Sequence, residues 1–177
     1  TSASKMAETS AKALLSLDDL EEGHNVVNVA LSAEELELKD EFFAFRSIVT
    51  AAVEVQRSMD NFNLDGVVCC QISGDCYRCL SPINQDVEAR FRVLVQRRQA
   101  SPEELESAEQ DGYIEIVDPG TRQLDLREYI REAVILDLPM RIPTPNTEGR
   151  CPQCREDFVG EVASGDEKAM DPRWAAL

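Results

Sequence analysis

A chain of 177 residues with 34 acidic and 18 basic side chains, a net charge of −16 and a single histidine is long enough to bury one core without a metal to compensate for small size. The charge excludes a globally basic nucleic-acid binder, because phosphate contact needs at least a local basic surface, and one histidine cannot supply HExxH or the ligand set of a deaminase. With no apolar stretch near the ~18 residues that span a bilayer and no apolar secretory segment at its start, the chain is read as soluble, cytoplasmic and free of membrane contact, with reduced thiols.

Residues 1–17, rich in Ala, Ser and Thr with little apolar anchoring, are expected to form a flexible arm. A single domain is expected over 18–160 and a tail over 161–177. "NVVNVAL", Asn25 to Leu31, reads as a strand. His24 just before it has the flank of a surface residue in a turn. Ser32 and Glu35 stand at capping-box spacing and predict a short helical turn. Ile48 to Gln56 and Leu64 to Ile72 predict two further strands. In "GVVCCQI", alternation sends one of Cys69 and Cys70 inward and the other outward. "SGDC" follows, whose Gly and Asp favour a turn presenting Cys76.

From Val87 to Arg98 the alternation is clearer, with Ala89, Phe91, Val93 and Val95 on one face and Arg90, Arg92, Leu94, Gln96 and Arg98 on the other. Ser101, Pro102 and Glu104 supply cap, first-turn proline and reciprocal carboxylate for a short acidic helix. "GYIEIVDPG" is a strand ended by a Pro-Gly turn. Asp125 and Glu128 repeat the capping-box spacing ahead of Leu126, Ile130, Ala133 and Val134, which share a helix face. Three prolines between Pro139 and Pro145 then enforce extended backbone.

Two CxxC pairs carry the most specific chemistry: Cys76 and Cys79 in "GDCYRCLSP", Cys151 and Cys154 in "EGRCPQCRED". Each pair can aim two sulfurs at one point, and two pairs supply the four thiolates of a closed tetrahedral zinc site, which holds structure and leaves no open position for activating water. The competing readings are redox-active dithiols and buried or disulfide-linked cysteines. Neither pair follows a strand and opens a helix as a redox CxxC does. No phosphate-binding glycine loop and no acid–base pair stands out, so the inventory does not favour an enzyme.

Charge is unevenly spread. Between Cys76 and Arg98 the local balance is +3, and between Ser101 and Asp118 it is −7. Arg90, Arg92, Arg97 and Arg98 are therefore candidate RNA contacts through phosphate, since aromatics for base stacking are sparse. A solvated strand face with cross-strand ion pairs fits the same pattern.

The succession "LDGVVCCQISGDCYRCLSPINQDVEARF", an acidic insert, "YIEIVDPGTRQLDLREYIREAVILDLPMRIPTP" and "GRCPQCREDF" resembles the YceD family from about Asn25 to Phe158. Two departures stand out: "RIPTPNTEG" replaces a further cysteine-containing segment present in many members, and Arg155 takes the place of a glycine after the last cysteine. The resemblance implies a protein needed for accumulation of large-subunit ribosomal RNA, acting in ribosome assembly or precursor-RNA processing without enzymatic activity. It also implies Cys76, Cys79, Cys151 and Cys154 as metal ligands, with Arg78, Arg150 and Arg155 able to offset the site's negative charge. The partners expected are precursor large-subunit RNA or ribosome-assembly proteins. The architecture expected is α+β: a largely antiparallel, partly closed sheet, one main packed helix and a four-cysteine zinc clamp. The rival readings are an acidic protein–protein adaptor for a basic ribosomal or assembly protein, and a thiol–disulfide protein.

Overall fold

The computed structural model describes residues 13–142 and Cys151. Its elements are β1 (Leu14–Ser16), β2 (Gly23–Leu31), β3 (Ala44–Phe45), β4 (Val49–Ser58), β5 (Asn61–Asp75), β6 (Pro82–Arg97), α1 (Pro102–Asp111), β7 (Ile114–Val117), β8 (Gln123–Asp125) and α2 (Arg127–Asp137). The main sheet runs β2-β4-β5-β6-β7, with β3 beside the far end of β5; β1 and β8 pair separately. Every pairing is antiparallel except β6 with β7. This α+β fold matches the expected class, but the sheet is open: its path ends at β2 and β7, which do not pair, so the partial closure expected from sequence does not occur among the described residues.

Period-two alternation decides which face is buried. Val49, Ala51, Val53 and Val55 of β4, Phe62, Leu64, Val68 and Ile72 of β5, and Val87, Ala89, Val93 and Val95 of β6 all turn to one side. Leu15, Leu17, Leu36, Leu38, Ile142 and the Ile130 face of α2 cover that side. The opposite face carries Glu54, Gln56, Asp65, Glu88, Arg90 and Arg92 and stays wet. Cys70 points in and Cys69 out, as alternation requires. Gly66 sits opposite Phe91, whose ring occupies the space a Cβ would need. The Tyr129 ring of α2 stacks on Phe91 at 5.9 Å, and its hydroxyl donates to Glu115 of β7.

Several local expectations change. Leu14–Ser16 lies within the expected arm, yet it forms β1 against β8 and buries Leu15, because an otherwise bare stretch of core takes up its apolar side chains. The Ser32 box forms as expected, with Glu35 accepting from the Ser32 backbone N–H at 2.7 Å and Leu36 N–H donating to Ser32 O at 3.2 Å to close a single helical turn. "SGD" does not turn; it continues β5 as far as Asp75, paired to β6, and the turn falls on Tyr77–Cys79. The Ser101 capping box of α1 is complete. That of α2 is not: Leu126 is the cap residue, and Asp125 instead accepts from the Arg127 backbone N–H and guanidinium. Burying Leu126, Ile130 and Val134 contributes about 1.5–3 kcal/mol each, more than the ~1 kcal/mol of a missing cap, so packing alone holds α2.

Candidate metal centre and arginine strip

The β5–β6 hairpin ends in a short loop that carries the first cysteine pair. Cys76 N–H donates to Ser81 O at 2.9 Å and Leu80 N–H to Cys76 O at 2.9 Å, and Leu80 takes a left-handed φ of 58°, so the chain folds back within six residues. Tyr77 N–H donates to Ile142 O at 3.1 Å, which moors the segment after α2 against the loop. Buried Ile142 and Cys151 then complete the site from the other end of the sequence.

The Cys76, Cys79 and Cys151 sulfurs all lie within 4.8 Å of one another, with Cys79 Sγ and Cys151 Sγ 3.6 Å apart. Two sulfurs at 2.3 Å from a tetrahedral ion stand about 3.8 Å apart, whereas a disulfide needs about 2.05 Å. The spacing fits a shared cation and not a bond. Cys76 and Cys151 are fully buried, and Cys79 faces the solvent edge. The Ser81 hydroxyl and Ser81 backbone N–H, both hydrogen-bonded to the Cys79 sulfur, lower its thiol to about 6; such donors to sulfur are what a metal-bound thiolate requires. Cys154 lies outside the described residues. The Cys76–Cys79 loop joins two antiparallel strands and opens no helix, so it lacks the helix N-terminus that activates a redox CxxC.

The four candidate arginines do not form one strip. Arg90 pairs with Glu88 at 2.9 Å, Arg92 with Asp65 across the strands at 2.5 Å and Arg98 with Glu104 at 3.1 Å, all well exposed. Arg97 belongs to the other parity of β6. Its side chain is 12% exposed and holds Asp18 at 2.6 Å and Asp60 at 2.8 Å, with its guanidinium 5.6 Å from the Phe62 ring. Arg57 lies at the same distance from that ring and donates to Leu20 O at 2.6 Å. Arg97 thus ties the β4–β5 turn and the N-terminal segment together, a role the run of arginines in the sequence did not reveal. Arg78 lies over Tyr77 at 5.4 Å, beside the cysteines; Arg150 and Arg155 are outside the described residues. The sequence signal for Tyr77 and Ser81 is their place between the two cysteines and two residues after the second.

A two-layer α+β body with a three-thiol cluster at a hairpin tip defines a protein whose sulfurs could hold a metal ion, with no recognisable catalytic constellation among its described residues. The family model described as "Large ribosomal RNA subunit accumulation protein YceD" matches residues 64–177, and the chain belongs to that family. An uncharacterized protein of Mycobacterium bovis and two of Mycobacterium tuberculosis are each 31% identical over 126 residues, covering 71% of this chain and 58% of each relative. The chain therefore spans under two thirds of the length of these relatives. No solved structure matches it. No helix among the described residues is long and apolar enough to cross a membrane.

Proposed function

We propose that this chain is a cytoplasmic, non-enzymatic ribosome-biogenesis factor that supports accumulation or processing of large-subunit ribosomal RNA, with a zinc ion held by Cys76, Cys79, Cys151 and Cys154. The observation that carries the reading is the convergence of Cys76 and Cys79 with Cys151 in a chain of the YceD family. Thiolates favour zinc among common cations, and a four-sulfur shell leaves no site for substrate. The ion would fasten the segment after α2 to the hairpin tip and keep a docking body rigid.

Direct RNA contact falls to Arg90, Arg92 and Arg98, which can exchange an exposed carboxylate for a phosphate, because exposed ion pairs are worth only about 0–1 kcal/mol. Arg97 is left out of the proposed contact because its side chain, 12% exposed, already bridges Asp18 and Asp60. The test is co-sedimentation of the triple variant R90Q/R92Q/R98Q with large-subunit precursors in cells. Weakened association with an unchanged melting temperature supports direct contact, and full association removes it. An adaptor role is the second reading, favoured by the carboxylate partner that each candidate arginine already holds.

A further inference from the structure

β6 pairs with β5 along its whole length, but its other edge meets β7 only from Leu94 to Arg97. Among the described residues, no strand lies beside residues 86–93 on that edge. Leu94 N–H donates toward β7, to Tyr113 O at 2.9 Å, so the alternation of a strand points the Arg92 and Arg90 N–H groups out of the same edge. Among the described residues the β7 pairing starts only at Leu94, and no loop or turn carbonyl reaches either amide.

A groove of about 860 Å³ lies along this edge. Four consecutive β6 residues, Arg90 to Val93, line it; a sheet face would contribute alternate residues, so it is the strand edge that forms the floor. Leu105 and Ala108 of α1 make one wall and Leu136 of α2 the other. Leu105 is 41% and Leu136 78% exposed, so the walls offer apolar surface that nothing described covers. The charge around it is one-sided. Arg90 and Arg92 are already matched by Glu88 and Asp65, whereas Glu128 and Glu132 on the α2 wall hold no ion pair among the described residues, and the α1 segment has no basic residue at all.

The geometry points to a docking groove for a basic, extended segment of another protein, which adds a strand beside residues 90–93 of β6. Its backbone takes up the free N–H and C=O groups, its apolar side chains meet Leu105 and Leu136, and its Lys or Arg side chains meet Glu128 and Glu132. A basic strand is the complement here because Glu128 and Glu132 of α2 disfavour an acidic one. This surface is separate from the metal centre and uses the backbone edge of Arg90 and Arg92.

The probe is a fluorescent twelve-residue peptide alternating valine and lysine, titrated into the metal-loaded full chain at physiological salt. Two controls accompany it: the same peptide with proline at alternate valines, and an all-lysine peptide. Binding is expected to be at least 10-fold weaker for both controls, and at least 10-fold weaker for L136D and for E128K/E132K, all of which change exposed side chains and leave the melting temperature intact. Amide exchange at Arg90 and Arg92 should slow on binding. Equal affinity for the proline peptide, or unchanged exchange at those amides, overturns the inference. So do three other outcomes: amides protected before peptide is added, meaning the chain's own C-terminal residues fill the groove; a concentration-dependent dimer abolished by L136D; or a single-stranded RNA oligonucleotide competing for the groove more strongly than the peptide.

Discussion

The two ends of the β5–β6 hairpin solve one problem in opposite ways. Each must tie remote segments to the sheet. At the loop end, Cys76 and Cys79 meet Cys151 across some seventy residues of chain, with sulfurs within 4.8 Å. At the other end Arg97 gathers Asp18 and Asp60, while Arg57 reaches the carbonyl of Leu20, both guanidinium groups lying against Phe62. The arginine end is complementary within the chain: its cations and anions are both encoded. The cysteine end brings like groups together, and thiolates at that spacing repel until a cation sits among them. One end can take an ion to offset that repulsion, and the other needs none.

Removing the metal should therefore produce the largest change. Chelation, or C151S, is expected to lower the melting temperature by about 10 °C, given that each 1 kcal/mol moves a domain of this size by roughly 2–4 °C, with a large drop in hydrogen-exchange protection at Tyr77 and little at Val95. Uniform loss at both residues would erase the contrast between the ends. Acid should separate them as well. Metal-bound sulfurs must be deprotonated, so protons compete with the ion as pH falls below about 6, the value to which Ser81 lowers Cys79. At the other end the hydrogen bond from Arg97 holds the Asp18 carboxyl below its ordinary 3.8. A depressed carboxyl contributes stability above its unfolded value and loses it as pH falls through the folded one, so this end should survive to about pH 4. Metal release measured with a chromogenic chelator between pH 7 and 4, alongside Arg97 Nε–H protection by NMR, checks the order.

Next in size is Arg97→Gln, which strands two carboxylates and uncovers Phe62; a fall of about 5 °C is expected, with metal content unchanged. The matching change at Arg90, an exposed pair, should shift melting by less than about 1 °C. Between the two ends, Gly66→Ala would drive a methyl into the Phe91 ring, at a cost of about 1–3 kcal/mol, and Gly66→Ala with Phe91→Leu should recover part of it in urea titrations. The smallest effect belongs to Ser101→Ala. Losing the capping box of α1 costs about 1 kcal/mol locally, visible as faster exchange in α1 with the global unfolding midpoint unmoved.

What was legible in the sequence followed from short-range periodicity and spacing. Apolar runs located β2 and β5, alternation located β4, β6 and the inward Cys70, and the Ser101 box located α1, because these signals act within a few residues. The Asp125 spacing does not make a cap, since Arg127 competes for the same carboxylate, and the turn-like composition around Gly74 gives way to strand because pairing with β6 is not a local property. The expected partial closure failed for a related reason: the sheet path stops at β2 and β7, and closure depends on edges far apart in sequence.

The sequence by itself determined the family, the cysteine set that includes Cys76, Cys79 and Cys151, and the inward and outward faces of the long strands, because motif spacing and side-chain alternation are written residue by residue. Tertiary structure alone decided that Arg97 is a tie and Arg90 and Arg92 are surface, that Leu14–Ser16 belongs to the core, and that among the described residues the β6 edge borders a groove carrying Glu128 and Glu132. Those outcomes depend on which segments meet across the sheet, and long-range pairing leaves no mark on the local pattern.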